Sequence, residues 1–113
     1  HRDIKSDNIL IRYQDGGVKL LDFGFGCQLN PQEKRNSVVG TSFWMAPEVI
    51  KHQQYAEKPD IWSFGALLHE IVEGEPPYFK SNPVKAMFWI CKRGIAQVSK
   101  DSAAIFPSED LQQ

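Results

Sequence analysis

The sequence predicts a mainly α-helical fold with a small β-hairpin, and three observations carry this. Two short apolar runs, at Ile9–Ile11 and Val18–Phe23, flank the turn signal Gln14-Asp15-Gly16-Gly17. The stretch Pro59–Val72 is apolar on nearly every helical face, through Ile61, Trp62, Phe64, Ala66, Leu67, Leu68, Ile71 and Val72. Asn82-Pro83 opens another helical stretch that closes at Arg93, before Gly94.

Each element has its local reason. Asn8–Ile11 reads as a short strand and Val18–Phe23 as its hairpin partner, both expected to pack inward. Residues 24–41 follow no period and are rich in Gly, Asn, Gln, Lys, Arg and Ser, which predicts a long loop of functional character. Pro59 suits a first helical turn and Gly74 a stop, and a helix apolar all round is expected to be buried on all sides. Glu75-Pro76-Pro77-Tyr78 is an irregular connector, and Ser108-Glu109-Asp110-Leu111 reads as the capped start of a third helix.

Composition narrows the function. The 113 residues carry a formal charge of −1, which gives no basic footprint for nucleic acid. Cys27 and Cys91 lack the spacing of a disulfide framework or a zinc site, so a reduced, cytoplasmic setting is expected. No apolar run reaches the length of a membrane span, and no signal peptide is seen. His1 in place of Met leads to the expectation of a fragment or a processed product.

The chemistry concentrates in HRDIKSDNIL, residues 1–10. Asn8 opens the first strand and Asp22 stands near the end of the second, so an amide oxygen and a carboxylate stand at neighbouring hairpin ends. Such a pair suits a hard, oxygen-preferring cation such as Mg²⁺, whose other ligands are water and substrate phosphates. Asp3 is then left as a proton acceptor and Lys5 as a positive charge for a phosphoryl group.

These residues resemble a family. His1-Arg2-Asp3-Ile4-Lys5-Ser6-Asp7-Asn8 is similar to the catalytic loop of eukaryotic protein kinases, Asp22-Phe23-Gly24 to their metal-binding triplet, and Ala46-Pro47-Glu48 to the end of their activation segment. Val39-Gly40-Thr41-Ser42-Phe43-Trp44-Met45-Ala46-Pro47-Glu48 and Asp60-Ile61-Trp62-Ser63-Phe64-Gly65 resemble the Sterile-20 group. Glu73-Gly74-Glu75-Pro76-Pro77-Tyr78 and Asn82-Pro83 resemble its PAK branch, kinases activated by Rac-type small GTPases. The resemblance is dense to Pro83 and looser after it. It implies a partial kinase domain over 1–113, with catalytic loop 1–8, activation segment 22–48 and a central buried helix at about 59–73. The N-lobe and the last C-lobe helices are expected to be absent, and with them the Gly-rich loop and strand lysine that grip ATP.

Residue by residue, the resemblance implies that Asp3 is the catalytic base, Asn8 and Asp22 the Mg²⁺ ligands, and Lys5 the cation facing the transferring phosphate of ATP. Leu10 is implied under the adenine. Lys5 with Thr41 is the serine/threonine-kinase pattern, with Thr41 bonding near Asp3 and holding the base. Ser37 occupies the activation-loop phosphosite, with Arg2 as its phosphate-sensing partner. Asp7, Glu70 and Gly40 are implied in substrate recognition. The two acids would favour proteins with basic residues before Ser or Thr, although Glu70 reads equally as a structural ion pair.

Phe25 resembles the arrangement that prefers Ser over Thr acceptors. Asp60 is implied as a cap for the catalytic-loop backbone, and Glu48 as the partner of an Arg beyond residue 113. Trp44 and Met45 read as a wall of the substrate site or as core. A Rac-type GTPase partner is implied through a segment upstream.

Departures are few. Ser42 stands where the branch has Pro, and Gly24-x-Gly26 lacks the third glycine of a dinucleotide fingerprint, with Leu29 in its place. Intact Asp3, Lys5, Asn8 and Asp22 argue against the rival reading, a non-catalytic kinase-like binding module.

Overall fold

The computed structural model describes residues 1–105, except 31 and 33. The order is a 3₁₀ turn at Ser6–Asn8, strands β1 (Ile9–Ile11) and β2 (Val18–Leu20), a 3₁₀ turn at Ser42–Trp44, and helices α1 (Pro47–Ile50), α2 (Lys58–Glu73), α3 (Pro83–Arg93) and α4 (Lys100–Ile105).

The hairpin forms where its turn residues require it. Ile9 pairs with Leu20, Leu10 with Lys19 and Ile11 with Val18 in antiparallel register. Gly16 takes φ 71° in the turn, where a side chain would be strained, and Gly16 N–H donates to the Arg12 carbonyl at 2.8 Å. Both strands are shorter than expected. Asn8 belongs to the 3₁₀ turn, and Leu21 adds one last ladder bond by donating to the Asn8 carbonyl at 2.8 Å.

The expected burial of the hairpin is corrected. Leu10 is 53% exposed, Ile11 71% and Val18 65%. Among the described residues nothing packs over this surface.

Helix α2 begins and ends as its punctuation predicts. Pro59 lies in the first turn, and Gly74 closes the helix in the left-handed region at φ 83°, its N–H donating to the Glu70 carbonyl. α3 opens on Asn82, whose side chain accepts from Lys85 N–H at 2.8 Å. The core lies between these helices and the Ser42–Trp44 turn, with Met45, Ala46, Val49 and Tyr55 clustered and Ile50, Trp62 and Met87 packed against them.

Burial of α2 on all sides is also corrected. Ser63, Ala66 and Leu67 are buried, whereas Ile61 is 70% exposed and Ile71 62%. One face has the core; the other has no cover among the described residues.

α4 lies outside the elements the sequence predicted. Ser99 starts it, its Oγ accepting from Ser102 N–H at 3.2 Å. The helix expected from Ser108 lies outside the described residues. Among the described residues of 24–41 there is no helix or strand, apart from the isolated bridge between Arg35 and Tyr55.

Candidate active site

The site is built on the loop before β1. Asp60, in the first turn of α2, accepts from the main-chain nitrogens of His1 and Arg2, each at 2.8 Å. This cap is the one the resemblance implied. It holds Arg2 at φ 71°, a conformation that costs a non-glycine residue roughly 1–2 kcal/mol. The reversal of the chain at Arg2 presents Asp3 to the interior.

Asp3 is 7% exposed. Thr41 Oγ1 donates to Asp3 Oδ1 at 2.7 Å. Asn8 Nδ2 donates to the Asp3 carbonyl at 2.8 Å and lies 3.3 Å from Oδ2. Lys5 Nζ stands 3.8 Å from Oδ2. The carboxylate is therefore approached by Thr41, Asn8 and Lys5, and the expected bond between Thr41 and Asp3 is present.

Asn8, also 7% exposed, commits its amide nitrogen to Asp3, which leaves the amide oxygen to face elsewhere. Asp22 follows β2 at φ 54°, next to the rung where Leu21 bonds Asn8. Its Oδ1 accepts from Gly24 N–H at 3.1 Å, and the residue is exposed. Among the described residues no cluster of three or more His, Cys, Asp or Glu gathers. One amide and one carboxylate at a hairpin end suit a cation that draws its remaining ligands from water and phosphate, as Mg²⁺ does.

The activation loop returns to the same place. Arg2 donates through Nη1 to Ser37 Oγ at 2.8 Å and through Nε to the Phe25 carbonyl. Gly40 has φ 123°, and a Cβ there would lie 2.9 Å from the Arg2 carbonyl oxygen. Only glycine lets the segment before Thr41 pass this close to the loop.

Other expected residues fall as follows. Glu70 makes no ion pair among the described residues: Ser6 Oγ donates to Oε1, and Trp44 Nε1 to Oε2 at 3.0 Å. The ion-pair reading is thus corrected, because two neutral donors already serve this half-buried carboxylate. Asp7 is exposed, and Leu10 lies on open strand surface. Trp44 and Met45 are buried at 8% and 7%, and both line the small cavity that Asp3, Gly40 and Thr41 share. Cys27 and Cys91 are free thiols.

Two partners escaped the sequence. Tyr55 OH donates to the Ser37 carbonyl at 2.6 Å. Ser63 Oγ donates to the Trp44 carbonyl at 2.7 Å, tying α2 to the end of the activation segment. Tyr55 carries no local motif, and Ser63 lies in the Asp60–Gly65 stretch without its spacing announcing Trp44 as its partner.

α2 thus caps the loop that carries Asp3, and the segment from Ser37 to Thr41 returns to that loop. The chain belongs to the protein kinase family, matching the family described as protein kinase domain over residues 1–111. Members of this family use ATP and Mg²⁺ in general.

Its relatives narrow the branch. The chain is 57% identical over 83% of its length to serine/threonine-protein kinase pak-1 of Caenorhabditis elegans. It is 50% identical over 94% of its length to serine/threonine-protein kinase PAK 1 of Mus musculus. It is also 50% identical, over 95% of its length, to serine/threonine-protein kinase pakA of Talaromyces marneffei. It is a PAK-like fragment of the Sterile-20 group, and it spans only 16–20% of the length of these three relatives. Among the described residues no helix is long and apolar enough to cross a membrane.

Proposed function

We propose that this chain is the catalytic-loop and activation-segment part of a PAK-like serine/threonine kinase, which transfers the γ-phosphoryl group of ATP to Ser or Thr hydroxyls of proteins. The observation that carries the reading is the seat of Asp3, a buried carboxylate fixed by Thr41 at 2.7 Å with Lys5 at 3.8 Å. Asp3 takes the proton of the acceptor hydroxyl as its oxygen bonds to the γ-phosphorus and the bond to the bridging oxygen of ADP breaks. Lys5 faces the phosphoryl oxygens and offsets their charge. Asn8 and Asp22 are the residues to hold Mg²⁺, which when bound neutralises phosphate charge. Leu10 offers an apolar surface for the adenine.

Ser37 is the activating phosphosite on this reading, and Arg2, 2.8 Å away, pairs with the phosphate. Asp7 and Glu70 select basic residues before the acceptor. Lys34-Arg35-Asn36-Ser37 has that pattern and makes Ser37 a site of trans-autophosphorylation. Phe25 favours Ser over Thr. Two free cysteines support a cytoplasmic setting, and a Rac-type GTPase acts through a segment outside this chain.

The test is phosphorylation of a basic Ser peptide by the full-length protein with ATP and Mg²⁺. Asp3→Asn lowers the rate by about 10²–10⁴-fold, and an unchanged rate overturns the assignment. Residues 1–113 alone give no measurable transfer. ATP-dependent transfer by them that Asp22→Ala abolishes would contradict this.

A further inference from the structure

Tyr55 is the least exposed polar side chain around Ser37, at 5%. Its main chain is pinned by a two-way bridge to Arg35, with both N–H···O distances 2.7 Å. Its ring packs in the core with Met45, Ala46 and Val49. Its hydroxyl emerges from this anchor beneath the activation loop. It donates to the Ser37 carbonyl at 2.6 Å, lies 3.4 Å from Ser37 Oγ, and lies 3.3 Å from Arg2 Nη1. Arg2 Nη1 in turn donates to Ser37 Oγ at 2.8 Å. Two side chains from two separate segments, Arg2 and Tyr55, thus converge on Ser37 Oγ.

We propose that Tyr55 is a ligand of the phosphate on Ser37, completing with Arg2 a two-point phosphoserine site. The inference rests on the reading of Ser37 as a phosphosite. A phosphoryl group on Ser37 Oγ carries three acceptor oxygens into the space between the Arg2 guanidinium and the Tyr55 hydroxyl. The Tyr55 O–H now bonds a neutral carbonyl. A hydrogen bond to a phosphate dianion is charge-assisted and stronger, so the proton turns toward the new acceptor. The two donors differ in kind: Arg2 belongs to the catalytic loop, whereas Tyr55 belongs to the rigid core. Arg2 alone joins the phosphate to a loop. Tyr55 joins it to the buried core of Met45, Ala46 and Val49, and Tyr55 is a positioning residue in this sense.

The experiment uses the full-length protein, phosphorylated stoichiometrically at Ser37, as wild type and Tyr55→Phe. Phosphorus NMR follows the second ionisation of the phosphoserine with pH. Loss of the Tyr55 donor raises that pKa by about half a unit or more. It also cuts the ratio of phosphorylated to unphosphorylated kcat/KM by about tenfold. Identical titrations in the two proteins overturn the inference. So does a fall in kcat/KM of equal size in both phosphorylation states, because that is a scaffolding loss alone. 3-Fluorotyrosine at position 55 keeps the fold and strengthens the donor, so it lowers the phosphate pKa, and no shift with it also overturns the inference. If Ser37→Ala keeps the full activity of the phosphorylated wild type, the switch reading fails, while the phosphorus titration still decides the role of Tyr55.

Discussion

The catalytic loop and the hairpin that continues from it are neighbours in sequence and opposites in how they are held. Residues 1–8 draw their partners from far along the chain: Asp60 on His1 and Arg2, Thr41 on Asp3, Glu70 on Ser6. β1 and β2 have mainly each other, and their turn is closed by Arg12 and Asp15, a pair exposed at 55% and 53%. Surface pairs of that kind contribute less than about 1 kcal/mol. The same division runs through α2, whose inner face carries Ser63, Ala66 and Leu67 and whose outer face exposes Ile61 and Ile71. The polar network of the site closes within the chain, and the apolar surfaces around it do not.

Removing the cap is the strongest way to break this division. Asp60→Ala leaves two main-chain donors without their acceptor and removes what holds Arg2 at φ 71°. Each orphaned donor costs about 1–3 kcal/mol. Urea unfolding of the chain is expected to lose about 2–4 kcal/mol. A loss below about 0.5 kcal/mol would mean that the loop is held no more firmly than the hairpin.

Much of the site was legible because its residues are spaced by one loop. Asp3, Lys5 and Asn8 are local, and Thr41 reaches Asp3 as the motif implied. The helix ends were legible because Pro59, Gly74, Asn82 and Gly94 act through their own backbone restrictions. Burial was not. Ile61 and Leu10 are apolar whatever covers them, and periodicity cannot say whether a covering element is present. Tyr55 was illegible for a related reason, since its role comes from a bridge to Arg35 that no spacing announces. The donors of Glu70, Ser6 and Trp44, were illegible because they come from two distant segments.

The open face of α2 supplies a medium-sized test. Ile61→Lys with Ile71→Lys places two charges on a face that the described residues leave open, at residues 70% and 62% exposed. In the isolated chain the unfolding free energy is expected to change by no more than about 0.5 kcal/mol per site, with less self-association in sedimentation. In the full-length protein a second segment over this face would bury both charges and cost several kcal/mol. Equal small effects in both proteins would show that the face is open in the whole molecule too.

The smallest effect is expected at the other end of α2, where acid should loosen one contact. Glu73 accepts the Ser99 main-chain N–H at the start of α4, and this bond above all holds its carboxyl below the ordinary value near 4.5. Because the folded value is depressed, the stabilisation is complete above the unfolded value of about 4.5 and disappears as pH falls through the folded one. Asp15 follows the same sign at the hairpin turn, its carboxyl lowered by Arg12 first and by Gly17 N–H second. Asp15 is exposed and Glu73 half-buried at the surface, so the expected effect is local rather than global. Amide exchange at Ser99 should accelerate as pH falls below about 4.5, after correction for intrinsic rates, while exchange at Asn8 and Leu21 keeps its protection. Glu73→Gln should remove the pH dependence at Ser99 and leave the Asp15 turn responding as before. A loss of protection at Leu21 in step with Ser99 would instead join the two ends of the molecule into one cooperative unit.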